Sequence, residues 1–271
     1  MRIHVFLTIG KDRIDSGTRM IESISHPSVF THVLWRDCDP FSNRKDSQYI
    51  ELRGSQMSLS RARNVLISNA LEAELIEDDD VVCFADDDGL WPLELPTNIL
   101  KVFNSDLYWA LGVYFPLTRN LDQSRFPSFA QNQINHEDIL MRASSLGLYM
   151  KGIALKQIGK FNEYLGIGGT IHSGEDTEYA LRLHFKYRDS NYNPSLFQYH
   201  EYGSELNSQR IESSLRLIWY LYFMNFVPIS NPLRRTISLM VKRKTKIITF
   251  RLIYTDWKNS KRDNKNFEWY S

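Results

Sequence analysis

Ile3 to Ile9 is almost continuously apolar and β-prone, which reads as a strand buried on both faces. Ile14 to Ser25 has helical spacing. His32 to Trp35 predicts a second short strand, followed by a polar loop rich in Asp, Pro, Ser and Asn. Tyr49 to Leu52 predicts a third. Ser60 is expected to cap a helix whose apolar positions are Ala62, Val65, Leu66, Ala70 and Ala73. Val81 to Ala85 is an apolar strand. Strands alternating with helices over residues 1–90 predict an α/β fold, with a Rossmann-like, mostly parallel sheet flanked by helices.

After residue 90 the pattern loosens. Leu107 to Tyr114 reads as a strand. Pro116 to Glu137 is polar and irregular, a candidate acceptor-binding or lid loop. Leu148 to Phe161 holds a short strand and a helix ended by Gly159, and Thr177 to Phe185 is a helix. The tail from Leu215 is expected to be helical, broken by Pro228 and Pro232. No internal repeat or low-complexity segment interrupts the chain.

A length of 271 residues suits one large α/β domain with a small appendage, expected as residues 1–210 and 211–271. The net charge is +1, but eleven Lys/Arg against three Asp/Glu lie beyond residue 230, so the tail is basic. Arg234, Arg235, Lys242, Arg243, Lys244, Lys246 and Arg251 alternate there with Ile237, Leu239, Met240, Val241, Ile247, Ile248, Phe250 and Leu252. That mixture over 232–252 suits an anionic membrane surface, and equally a packed helix with a basic outer face. No nucleic-acid partner is expected. Leu215 to Ile229 is the longest apolar stretch, yet it contains Arg216 and Asn225 and is too short to span a bilayer. The N-terminus reads as a strand rather than a signal peptide, and neither Cys38 nor Cys83 has metal-ligand spacing. A reducing, cytoplasmic location is expected, with peripheral contact to the inner face of a bacterial membrane.

The candidate chemistry is acidic. Asp78-Asp79-Asp80 precede the strand at Val81 and Asp86-Asp87-Asp88 follow it. Ligands bind beyond the carboxyl ends of parallel strands, so position selects the second triplet and makes the first a solvated turn. Crowded carboxylates raise one another's pKa, and Mg²⁺ or Mn²⁺ would relieve the repulsion; an acidic turn closed by Gly89 is the alternative. Arg61 and Arg63 oppose the dipole at their helix start unless an anion binds there, and about 200° of rotation lets at most one face a ligand. Glu175 and Asp176 open a helix, where acids serve as caps or, in Asp176, as a general base with Glu175 orienting the acceptor. His200 is a metal-ligand candidate or a structural histidine among tyrosines, and His136 with Glu137 and Asp138 is a weaker cluster. Thr8 and Gly10, and Asp37 and Asp39, end the first two strands, where a nucleotide's base or ribose would lie.

The order of these pieces resembles family 2 glycosyltransferases of the GT-A fold. Ser60-Arg61-Ala62-Arg63-Asn64 is similar to the family's Ala-Arg-Asn helix entry, and Phe84-Ala85-Asp86-Asp87-Asp88-Gly89-Leu90-Trp91-Pro92 to its Asp-x-Asp strand end. Tyr149-Met150-Lys151 through Leu155 to Glu163 is similar to the segment ending Ile-Gly-Gly-Phe-Asp-Glu, and Gly174-Glu175-Asp176-Thr177-Glu178-Tyr179-Ala180-Leu181-Arg182 resembles the Glu-Asp motif. The likeness covers residues 3–203. It departs at Leu7-Thr8-Ile9-Gly10, where the family has Pro-Thr-Tyr-Asn, and at Asp37-Cys38-Asp39-Pro40, where it has Asp-Asp-Gly-Ser. The resemblance implies a nucleotide-diphosphate sugar donor, with UDP-galactose or UDP-glucose the most frequent, and a divalent metal at Asp86 and Asp88, joined by His200. It implies Asp176 as the base of an inverting displacement, and Arg63, with Asp87, on the nucleotide side. The acceptor it implies is a glycan, lipid-diphosphate-linked in surface polysaccharide synthesis. A sugar-nucleotide pyrophosphorylase and a non-catalytic carbohydrate-binding or assembly protein are the competing readings. Gly10-Lys11-Asp12-Arg13 is a poor match to a pyrophosphorylase loop, and Thr8-Ile9-Gly10 offers no phosphatase nucleophile.

Overall fold

The computed structural model describes residues 1–39, 48–116, 131–132, 134–201 and 208–228, together with positions 231, 253, 255 and 256. Strands β1 (Ile3–Gly10), β2 (Val29–Arg36), β3 (Tyr49–Gly54) and β4 (Val81–Asp86) form a parallel half-sheet in the order β3-β2-β1-β4. Helix α1 (Ile14–Ser23) links β1 to β2, and α2 (Leu59–Glu72) links β3 to β4. The order reverses direction at β1, so the crevice beyond the carboxyl ends of β1 and β4 is a topological switch point, where open α/β sheets bind ligands.

The second half is mixed. After β4 come β5 (Gly89–Leu90), α3 (Leu95–Phe103), β6 (Trp109–Pro116), β7 (Gln131–Asn132), α4 (His136–Arg142), β8 (Leu148–Lys151), α5 (Gly152–Ile158), α6 (Glu175–Lys186), β9 (Ser190–His200) and α7 (Ser208–Phe223). β8 inserts antiparallel between β4 and β6, β9 runs parallel to β6, and β5 and β7 pair antiparallel with β9. The result is a nine-stranded sheet of the GT-A type, with helices on both faces.

Alternation along β1 explains the layers. Ile3, Val5, Leu7 and Ile9 face α1 and α3 in a cluster with Met20, Trp35, Ile99 and Phe103. Phe6 faces the other way, into a larger cluster with Ala62, Leu66 and Ala70 of α2, Leu155 of α5 and Leu181 of α6. A strand covered on both faces must be apolar throughout; each such fully buried aliphatic side chain contributes roughly 2 kcal/mol.

Several expectations need correction. The cap of α2 is Ser58, whose side chain accepts from the Arg61 N–H, while Ser60 is buried inside the helix. Asp80 is not solvated. It is 2% exposed, and its carboxylate accepts from the Arg2 backbone N–H at 2.6 Å, Arg2 Nη2 at 2.9 Å and the Glu77 N–H at 3.0 Å. Residues 210 and 211 both lie in α7, whose Tyr220 and Leu221 belong to the main core cluster, and most of 229–271 lies outside the described residues, which leaves the expected division a proposal. Most of the expected lid loop, 117–130, and the basic stretch 232–252 lie outside the described residues. Among the described residues no helix is long and apolar enough to cross a membrane.

Candidate active site

The acid triplet leaves β4 at the switch point. Thr8 lies in register beside Asp86, and the Gly10 N–H donates to Asp87 Oδ2 at 3.2 Å. The chain then turns at once into β5, which pairs with the end of β9, setting Gly89 opposite His200. The Glu201 N–H donates to the Asp88 carbonyl at 3.1 Å. This short pairing is what carries His200 to the acids: its Nε2 is 2.9 Å from Asp88 Oδ1 and 3.8 Å from Asp86 Oδ2. Ligand atoms of Asp86, Asp88 and His200 all lie within 4.8 Å of one another, the one such group among the described residues.

Two carboxylates and an imidazole form a donor set that Mn²⁺ or Mg²⁺ accepts. The electrostatics fit a missing positive charge. Burial raises the Asp86 carboxyl above its ordinary pKa, more than Arg63 and His200 lower it. Burial likewise lifts Asp87 to about 6, against the Gly10 hydrogen bond. At Asp88 burial is outweighed by the His200 hydrogen bond, and the carboxyl falls below its usual value. Burial disfavours the His200 imidazolium, but Asp88 and Asp86 overcome that and raise its pKa. Arg13 Nη1 sits 3.6 Å from Asp88 Oδ2 and adds a second compensating charge.

Across the crevice, α6 begins at Gly174, held in the left-handed region at φ 88°, and places Glu175 and Asp176 in its first turn. Arg63 joins the two sides. Its Nη1 donates to Asp176 Oδ1 at 2.8 Å and its Nη2 to Asp86 Oδ1 at 3.1 Å, with Glu175 Oε1 at 3.6 Å. The guanidinium is 2% exposed and lies over the rings of Phe84 and Phe161, at 5.7 and 5.3 Å. Of the two arginines, Arg61 is exposed and Arg63 points inward. Arg63 is nonetheless no open nucleotide contact; it is a buried clamp that fixes one oxygen of each acid and leaves Asp86 Oδ2 toward His200. Glu175 is 8% exposed on its side chain. Burial, with Asp176 beside it, lifts it to about 7 despite Arg63.

Asp37 ends β2 in an exposed left-handed conformation, φ 52°, its N–H bonded to the Gly54 carbonyl. With Cys38, Asp39, Arg53 and Gly54 it lines a cavity of about 420 Å³ beyond β2 and β3. His136, Glu137 and Asp138 do not gather: Asp138 is capped by Asn135 and paired with Arg142 at 2.8 Å. Sequence reasoning missed Arg13 and the Gly10–Asp87 bond, since neither follows from spacing within one element.

Fold and site together define a GT-A-type scaffold with an acid cluster at its switch point. No family model and no curated protein matches the sequence. Among solved structures the chain is similar to Staphylococcus aureus TarS residues 1–349: TM-score 0.63, 15% identity, with 96% of this chain and 81% of that one covered. The same protein in complex with UDP-GlcNAc gives a TM-score of 0.60 at 15% identity, over 96% of this chain and 79% of that one. Its complex with UDP gives 0.53 at 13%, over 100% and 93%. Against a longer TarS chain the match spans only 43% of that protein's length.

Proposed function

We propose that this chain is a metal-dependent, inverting glycosyltransferase that moves a hexose from a UDP-sugar to an acceptor hydroxyl. One observation carries the reading: a single buried guanidinium, Arg63, grips Asp86 on one wall of the switch-point crevice and Asp176 on the other. Structural scaffolds seldom spend three carboxylates and a buried arginine in an open crevice, whereas a site that separates charge needs them.

Asp86, Asp88 and His200 would hold the divalent ion, which supplies Lewis-acid neutralisation of the diphosphate's charge. Thr8, Asp37 and Asp87 flank the nucleotide side, and the open polar depression beside Asp37 would face the base. UDP and UDP-GlcNAc bound to TarS, on the same fold, support a uridine nucleotide. On the opposite wall Asp176 accepts the proton of the attacking hydroxyl through the oxygen that Arg63 leaves free. Glu175, neutral up to about pH 7, donates a hydrogen bond that orients the acceptor. Attack from the wall facing the leaving group inverts the anomeric carbon.

UDP-galactose or UDP-glucose is the proposed donor, and a lipid-diphosphate-linked glycan of surface polysaccharide the proposed acceptor. The basic and apolar alternation over 232–252 supports work at the cytoplasmic leaflet. Gln substitutions of Arg and Lys within 232–252 test that leaflet contact better than truncation, because truncation also removes the buried Asp256. For the activity itself, purified protein with Mn²⁺ is assayed against a panel of UDP-, GDP- and dTDP-sugars. Release of UDP from one uridine donor, abolished by EDTA and stimulated by a glycan acceptor, is expected. Nucleotide-sugar binding with no turnover under any acceptor would favour the non-catalytic reading instead.

A further inference from the structure

The segment between α5 and α6 delivers Glu175 and Asp176, and it makes little regular structure of its own. It begins at Gly159, the left-handed end of α5. Leu165 accepts from Ser60 Oγ at 2.6 Å, and Ile167 accepts from the Leu59 N–H at 2.9 Å. Gly166 lies flat against the catalytic wall: a Cβ there would stand 2.9 Å from the Glu175 carboxyl carbon and 2.7 Å from Ser60 Oγ. A side chain at Gly174 would collide with Leu217 of α7. The backbone at both glycines therefore fixes where the acids point.

Tyr164 stands two residues before Gly166, and its fastening comes from far along the chain. Its hydroxyl donates to Asp256 Oδ1 at 2.7 Å, and its ring stacks on Tyr220 of α7 at 5.7 Å. Asp256 is fully buried. Arg216 of α7 grips it with both arms of its fork, Nε at 2.8 Å and Nη2 at 2.9 Å. Beside it Ile253 packs on Leu215. A neighbouring tie runs parallel: Asn162 Nδ2 donates to the Tyr220 hydroxyl at 2.7 Å, and the Tyr164 N–H donates to Asn162 Oδ1 at 3.0 Å. A bidentate carboxylate–guanidinium pair is directional, and buried it resists exchange with water. The segment is also held on α2 by Asn64, which bonds the Phe161 backbone and Glu163, and by the buried Leu165 and Ile171, so the Asp256 tie adds to these at Tyr164.

We propose that Asp256 is a positioning residue for the catalytic pair: anchored by Arg216, it holds Tyr164 and thereby sets the backbone of 164–174 against Glu175. Asp256 and Ile253 are thus tied to the scaffold through α7. The positioning role rests on the glycosyltransferase reading for its effect on rate, though not for its effect on the backbone.

Tyr164→Phe removes only the hydroxyl and leaves the ring stacked, so it folds; Asp256→Asn, which strands Arg216, is the stronger and riskier companion. Hydrogen exchange read by mass spectrometry on full-length protein should show faster exchange over 164–176 in both variants. With Mn²⁺ and donor, kcat should drop about tenfold while KM for the donor stays within about twofold, the signature of misplaced chemistry and intact binding. Asp256→Glu should recover part of kcat. The proposal is overturned if Tyr164→Phe leaves both the exchange of 164–176 and kcat unchanged, or if exchange rises only in α7. Should the native protein turn over no nucleotide sugar, the function falls, and the exchange data still decide whether Asp256 holds the segment.

Discussion

Asp78-Asp79-Asp80 and Asp86-Asp87-Asp88 stand at opposite ends of β4, and the chain treats the two triplets differently. At the amino end the buried member, Asp80, receives the Arg2 backbone, the Arg2 side chain, the Glu77 N–H and His4. Burial alone would raise its pKa, but those hydrogen bonds win and hold it below the ordinary range. Asp78 pairs with Lys156 at 2.7 Å at the surface, and Asp79 approaches Lys151 at 3.7 Å. At the carboxyl end Asp86 and Asp87 are raised instead, and the positive charge they face is shared among Arg63, His200 and Arg13. Identical residues are thus saturated by donors at one end of β4 and left with an excess of negative charge at the other, the imbalance on which the proposed site relies.

The contrast predicts a double dissociation. Asp88→Ala should cut turnover of the nucleotide sugar by at least about 10³-fold, while losing its bond to His200 costs the fold at most about 1 kcal/mol. Asp80→Ala should do the reverse: about 3 kcal/mol lost in urea unfolding, because Arg2 and two backbone N–H groups lose their acceptor, with kcat of the folded fraction unchanged. Loss of activity in Asp80→Ala at full folding would erase the distinction. Asp176→Asn comes next, with kcat down about 10²- to 10⁴-fold and UDP binding retained, as measured by calorimetry beside steady-state rates.

A pH test sharpens the electrostatic side. Glu175 keeps its proton in the fold up to about 7, against an ordinary value of 4.5. Between those values the folded chain binds more protons than the unfolded one, so stability falls as pH rises through the window. Glu175→Gln should therefore gain about 2 kcal/mol over the native protein at pH 8 and almost nothing at pH 4.5. A pH-independent difference would show that Glu175 is not the group carrying the penalty. The smallest effect belongs to the surface: Asp78→Asn and Asp79→Asn should each change stability by less than about 0.5 kcal/mol and leave turnover alone.

Much of this was readable in the sequence. β1 and β4 are apolar at nearly every position because both faces are covered, and that signal survives any context. The acid triplet after β4 and the Glu-Asp pair on α6 were selected by their order along the chain. What sequence could not carry was contact between distant segments. Asp80 looked solvated because Arg2 and His4, its partners, sit at the start of the chain. Ser60 looked like a cap because it precedes the apolar run, yet Ser58 takes that place and Ser60 bonds to Leu165. Arg63 looked like a ligand contact because its helix entry resembles one, and only the fold reveals two acids competing for its fork. His200 reached the acids through β5, two residues long and invisible to periodicity.

Isothermal titration of UDP into the native protein and into Asp86→Ala/Asp88→Ala, each with Mn²⁺ and then with EDTA, tests the central claim most directly. UDP should bind the native protein only with Mn²⁺ present, and the folded double variant should bind at least about 100-fold more weakly under either condition. Equal UDP affinity in EDTA, or in the double variant with Mn²⁺, would contradict the assignment of Asp86, Asp88 and His200 as the seat of the cation.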